Sequence, residues 1–168
     1  MMKLTRTSAA IVAVGCLLAA IPRPNALAAS CAVVSELAAF VSKETGYRGP
    51  AACPPVQVTT TAVLRSMFAK AYAHGEEPLA AYLPDSGQIL LSPTIDLTTA
   101  LGRSYLVHEI VHAAQAANDR PASTSCSGLL ESEAYWVQAR YLRAHGLAEA
   151  ARRFELLSIM HGACPQPY

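Results

Sequence analysis

Apolar residues recur at helical spacing along much of the chain. In residues 31–44 they fall at Val33, Val34, Leu37, Ala38, Phe40 and Val41, the rhythm of a helix with one buried face, and Gly46 supplies a stop. Residues 59–73 repeat the pattern through Val63, Leu64, Met67, Phe68 and Tyr72, closed by Gly75. Between the two, residues 49–55 are rich in proline and read as loop. The period then changes: residues 79–83 and 88–91 flank Pro84-Asp85-Ser86-Gly87, which predicts a β-hairpin.

A third helix is predicted from Thr98 or Thr99, either of which can cap it, to about Asn118. Leu106, Val107, Ile110, Val111, Ala113 and Ala114 make it apolar on nearly every side, as expected of a helix inside a core. Asp119-Arg120-Pro121 breaks it, and residues 122–127 read as loop. A fourth helix follows with Leu130, Ala134, Val137 and Tyr141 on its inner face, and residues 147–160 make a last one. The expected fold class is α+β, mostly helical, with a small hairpin packed on the central helix.

That central helix also carries the chemistry. His108 and His112 are four residues apart, so both imidazoles leave one face and can share a metal, zinc by preference. Glu109 lies about 100° round the helix from His108, where a carboxylate reaches a metal-bound water rather than the metal. Burying two histidines and a glutamate in an apolar helix is costly unless something satisfies all three, and a metal does so. A third ligand is expected from the following helix. On a helical wheel Glu131 sits about 60° from the centre of the buried face and Glu133 about 100° away on the flank with Trp136 and Arg140, so Glu131 is preferred and Glu133 stays open.

The first 28 residues change the setting. Lys3 and Arg6, the apolar run 9–21 and Ala26-Leu27-Ala28 have the form of a secretory signal peptide, so the mature protein, a single domain over residues 29–168, is expected to be exported to the periplasm or secreted. The apolar run is too short to span a bilayer, and no second run follows it. Ala28-Ala29-Ser30-Cys31 lacks the leucine of a lipoprotein cleavage box. Without the leader, ten basic residues face twelve acidic ones, with no basic cluster for nucleic acid. Cys31, Cys53, Cys126 and Cys164 remain, an even number in an exported chain, and two disulfides are expected. Cys31 with Cys53 and Cys126 with Cys164 is favoured, because each pair joins segments that the helices bring together. A four-cysteine zinc site would want close Cys-x-x-Cys pairs, which are missing.

The His-Glu-x-x-His helix, followed nineteen residues after His112 by Glu131-Ser132-Glu133-Ala134-Tyr135, resembles the gluzincin branch of zinc metallopeptidases. Glu131 to Ala134 is similar to a Glu-x-x-Ala-Asp element of one membrane-bound peptidase family, but Tyr135 stands in place of the aspartate that orients a ligand histidine. Gln138 or a main-chain carbonyl is the expected substitute. Asn118 occupies the place of a third metzincin histidine. Residues 60–145 also resemble small exported bacterial zincin-like proteins of unknown function. The resemblance implies a minimal zincin-like domain, zinc on His108, His112 and Glu131, Glu109 as general base, and hydrolysis of a peptide or protein substrate.

The hairpin edge beside the zinc helix can take up an extended peptide, or it can be a plain core hairpin. Tyr135, Tyr105 and His161 can stabilise an oxyanion and are equally well packing residues, while His74 and His145 read as surface histidines. The alternative function is a non-catalytic, zinc-stabilised domain that binds a partner outside the cytoplasm. Ser125-Cys126-Ser127-Gly128 is not a nucleophile elbow, which sets a serine hydrolase aside.

Overall fold

A computed structural model describes residues 29–67, 77–123 and 126–164; the expected leader, His74 and Gly75 lie outside them. Helix α1, Cys31–Thr45, starts at Ser30, whose hydroxyl accepts from the Val33 N–H, and stops at Gly46, where a left-handed φ of 74° closes the last turn. Strand β1, Val56–Val58, and helix α2, Thr61–Met67, follow. Strands β2, Ala80–Leu83, and β3, Gln88–Leu91, form the hairpin, turning at Gly87 with φ 66°. Helix α3, Ala100–Ala117, is capped by the Thr99 side chain and ends at Asn118. A short helix α4, Arg120–Ser123, leads to α5, Ser127–Ala144, and α6, Ala148–Gly162.

The described residues are mostly helical, with one small sheet of order β1-β3-β2 among them. β2 and β3 pair antiparallel as the hairpin pattern predicts. β1 adds a parallel strand on the other side of β3, with Val56 opposite Ile89 and Val58 opposite Leu91. The sequence reading did not foresee β1, because three residues behind Pro54-Pro55 carry too little alternation to register. The expected loop at 122–127 is likewise helical at its start, as α4.

Alternation along the strands divides the core. Val56, Ile89 and Leu91 point into the main cluster with Val34, Leu37 and Val41 of α1, Leu106, Val107, Ile110, Val111 and Ala114 of α3, and Ala134, Val137 and Tyr141 of α5. Ala81 and Leu90 point the other way, onto Leu64 of α2. Helix α3 is therefore surrounded by α1, α5 and the sheet, which accounts for its apolar residues on every side.

Two disulfides staple the periphery, Cys31 with Cys53 and Cys126 with Cys164, the favoured pairing. They mark a protein that matures in an oxidising compartment, outside the cytoplasm. Among the described residues no helix is long and apolar enough to cross a membrane.

Candidate metal centre

Helix α3 presents His108 and His112 toward the first turns of α5, and Glu131 meets them there. His108 Nε2 lies 3.2 Å from His112 Nε2, 3.3 Å from Glu131 Oε2, and His112 Nε2 lies 3.4 Å from Glu131 Oε1. Among the described residues these three form a group whose ligand atoms all fall within 4.8 Å of one another. The donor set fits zinc in dimension: donors about 2.0–2.1 Å from a tetrahedral zinc stand about 3.3–3.4 Å apart. Glu133, the other candidate, points elsewhere. Its carboxylate accepts from the Tyr47 hydroxyl at 2.8 and 2.9 Å and from Gln115 Nε2 at 2.9 Å.

Hydrogen bonds on the far side of each ring fix which nitrogen carries a proton. Ser104 Oγ donates to the Leu101 carbonyl, so it accepts from Gln138 Nε2 at 3.1 Å. That turns Gln138 Oε1 toward His108 Nδ1, 3.1 Å away, and the ring must donate. Gln115 Nε2 donates to the Leu130 carbonyl and to Glu133, so Gln115 Oε1 accepts from His112 Nδ1 at 2.9 Å. Both Nδ1 atoms are thus donors, and the Nε2 lone pairs face each other and a carboxylate. Two lone pairs and an anion at such separations repel unless a cation stands among them. Gln138 takes the role expected of a substitute for the missing aspartate. Gln115 was not foreseen, although its place three residues after His112 on the same face could have pointed to it.

Without a metal, a proton serves as that cation. Burial works against a charge on His112, but hydrogen bonding to Glu131, the charges of Glu131 and Glu109 and the bond to Gln115 outweigh it and raise the imidazole to about 9. Burial likewise opposes the Glu131 carboxylate, yet its bonds to both histidines hold it well below the usual range.

Glu109 is 7% exposed. Burial pushes its carboxyl up, the charges of His108 and His112 pull it down, Glu131 pushes it up again, and a main-chain hydrogen bond from Tyr82 lowers it. The sheet register explains that last bond. Ser92 N–H donates to the Leu79 carbonyl, so residues 79 and 81 pair inward with β3, and the main-chain groups of Ala80 and Tyr82 point outward, toward α3.

Aromatic side chains wall the centre. The Tyr135 ring lies edge-on to His108 with centroids 4.5 Å apart, stacks on Phe154 at 6.1 Å and stands 5.1 Å from His161; Tyr105 meets Phe154 edge-on at 5.9 Å. The three residues considered as oxyanion stabilisers therefore share one cluster, with Tyr135 against a candidate ligand. His145 caps α5 with Nδ1 on the Tyr141 carbonyl, away from the centre.

No curated protein and no solved structure matches the chain. Residues 26–166 match the model of a domain of unknown function, DUF6647, and with most of its length so matched the chain belongs to the DUF6647 family.

Proposed function

We propose that this protein is an exported, zinc-dependent hydrolase, a metallopeptidase of gluzincin type on a zincin-like fold. His108, His112 and Glu131 hold the metal and Glu109 is the general base. The observation that carries this reading is the convergence of two Nε2 lone pairs, each set by its own glutamine, with the Glu131 carboxylate at the separations of a tetrahedral site.

When bound, zinc supplies Lewis acidity to a water and to the substrate carbonyl. Glu109 takes the proton that the attacking water loses and passes it to the amide nitrogen as the C–N bond breaks. Its buried setting, which raises its pKa, makes the carboxylate a stronger base than an exposed glutamate, as suits a group that must take up a proton and return it. The Tyr82 N–H holds one carboxylate oxygen in place. The other outward main-chain groups of β2, those of Ala80 and the Tyr82 carbonyl, give an extended peptide a strand to pair with beside the metal.

The alternative, a zinc-stabilised partner-binding domain outside the cytoplasm, is less well supported. A structural zinc site closes with four protein ligands, and among the described residues three converge, beside a buried carboxylate that such a site does not need. The purified mature chain should hold about one zinc and cleave an unfolded protein, and Glu109→Gln should retain the zinc while turnover falls at least about 100-fold. A folded sample that binds no zinc removes the proposal. Equal turnover in Glu109→Gln removes its mechanism, and zinc without cleavage by the parent favours the partner-binding domain.

A further inference from the structure

We propose that Glu133 is a positioning residue for the metal centre: through the Gln115 carboxamide it holds the His112 imidazole with Nδ1 protonated and Nε2 aimed at Glu131. The inference deepens the metal-site reading above and rests on it for its zinc measurement only.

Gln115 is 1% exposed. A carboxamide can turn by 180° and exchange its oxygen for its NH2 group. Turned that way, Gln115 would present hydrogens to His112 Nδ1, force the proton to Nε2 and block the nitrogen that faces the metal position. The neighbours on its far side prevent this. Nε2 has two hydrogens, and each finds an acceptor that cannot donate, the Leu130 carbonyl at 3.0 Å and Glu133 Oε2 at 2.9 Å. A flip would lose both bonds and set Gln115 Oε1 against two acceptors. Because one of them is a carboxylate, the bond to it is charge-assisted and is the stronger part of the lock.

Glu133 is itself fixed. The Tyr47 hydroxyl bonds to both of its oxygens, and Tyr47 comes from the segment just after α1, where Thr45 Oγ1 accepts from its N–H. The phenol is raised above its ordinary range by burial first, then by its bond to Glu133 and that group's charge, which keeps it a donor. The chain Tyr47, Glu133, Gln115, His112 thus ties the end of α1, helix α5 and helix α3 to the orientation of one ring. His108 has an uncharged counterpart in Gln138 and Ser104 and provides an internal control.

The test measures zinc affinity by chelator competition and, in metal-free protein, solvent exchange of the two histidine Nδ1 protons by NMR. Glu133→Leu should weaken zinc binding about 10- to 100-fold and speed exchange at His112 Nδ1 but not at His108 Nδ1. Glu133→Gln, whose side-chain oxygen can accept from Gln115 while its NH2 meets the Tyr47 hydroxyl, should stay within about threefold of the parent. Glu133→Ala removes the same acceptor without added bulk and carries the same expectation if Glu133→Leu does not fold. Parent-like zinc affinity and parent-like exchange in these truncations overturn the proposal, as does equal acceleration at both histidines. A parent that binds no zinc yet shows Glu133-dependent exchange at His112 sinks the metal reading and leaves the positioning role standing.

Discussion

Glu131 and Glu133 are the same residue type two positions apart, and their duties differ because two helical steps carry a side chain about 200° round the axis. One carboxylate faces both imidazoles while the other faces Gln115 and Tyr47. The wheel could separate them because Ala134, Val137 and Tyr141 mark the inner face plainly in the sequence and are buried in the fold. It could not foresee Tyr47, which lies 86 positions from its partner and meets it only through tertiary packing. The His112–Glu131 pair also gives the metal-free protein a pH signature. A folded pKa of about 9 against an ordinary 6.5 means stability fully present below 6.5 and lost as pH rises to 9. Glu131, held below its ordinary 4.5, contributes above that value and loses its contribution in more acid solution. The urea midpoint of metal-free protein should therefore fall between pH 6.5 and 9, and Glu131→Ala should abolish that slope. A flat parent profile over the same interval would show that no such pair forms.

At the scale of elements, legibility followed the strength of the local pattern. Helices α1, α3, α5 and α6 and the hairpin stand where period and capping residues placed them, with Gly46, Thr99 and Gly87 at their ends. Strand β1 was hidden because its pairing with β3 joins positions about 33 apart, as Val56 opposite Ile89, and owes nothing to neighbours in sequence. The Cys126–Cys164 pairing placed α5 beside α6, but their close fit was hidden. Ser158 Oγ donates to the Ser132 carbonyl at 2.7 Å, Gly162 lies against the Ser132 side chain, and Gly128 lies directly under the His161 carbonyl. A methyl group at Gly128 would collide with that main-chain oxygen, so the helices would have to part. Gly128→Ala is expected to cost about 1–3 kcal/mol in urea unfolding, the usual range for overpacking. Because His161 sits beside Tyr135, the same substitution should disturb the aromatic wall and lower any hydrolytic activity. Stability and activity equal to the parent would mean that the two helices tolerate separation.

For the whole molecule, the disulfides do what a modest core leaves undone. Cys31 begins α1 and is tied to the segment before β1, and Cys126, the cap residue of α5, is tied to the chain after α6. The loops they close, 22 and 38 residues in separation, are long enough that each bridge should contribute about 3–4 kcal/mol by restricting the unfolded chain. Replacing Cys126 and Cys164 together by serine should lower the urea midpoint accordingly and loosen α6 from the aromatic cluster. An unchanged midpoint would make that bridge dispensable. The four cysteines left after the expected leader, an even number in an exported chain, made two bridges legible, and the helical reading chose between the pairings, because each pair brackets the elements that must pack. The sequence offered no such aid for substrate, since what a β2 edge accepts depends on surfaces that periodicity does not describe.

Carboxamides, unlike the carboxylates that often stand behind metal-bound imidazoles, neither gain nor lose a proton at any acidity a folded chain survives. With Gln138 and Gln115 touching the rings, acid acts on the gripping atoms and leaves those two carboxamides unchanged, and on the His108 side the support behind, Ser104, is uncharged as well. A cation shed in a sour surrounding would still leave the His108 ring aimed by Gln138 and Ser104, one half of the cradle kept in shape for refilling on neutralisation.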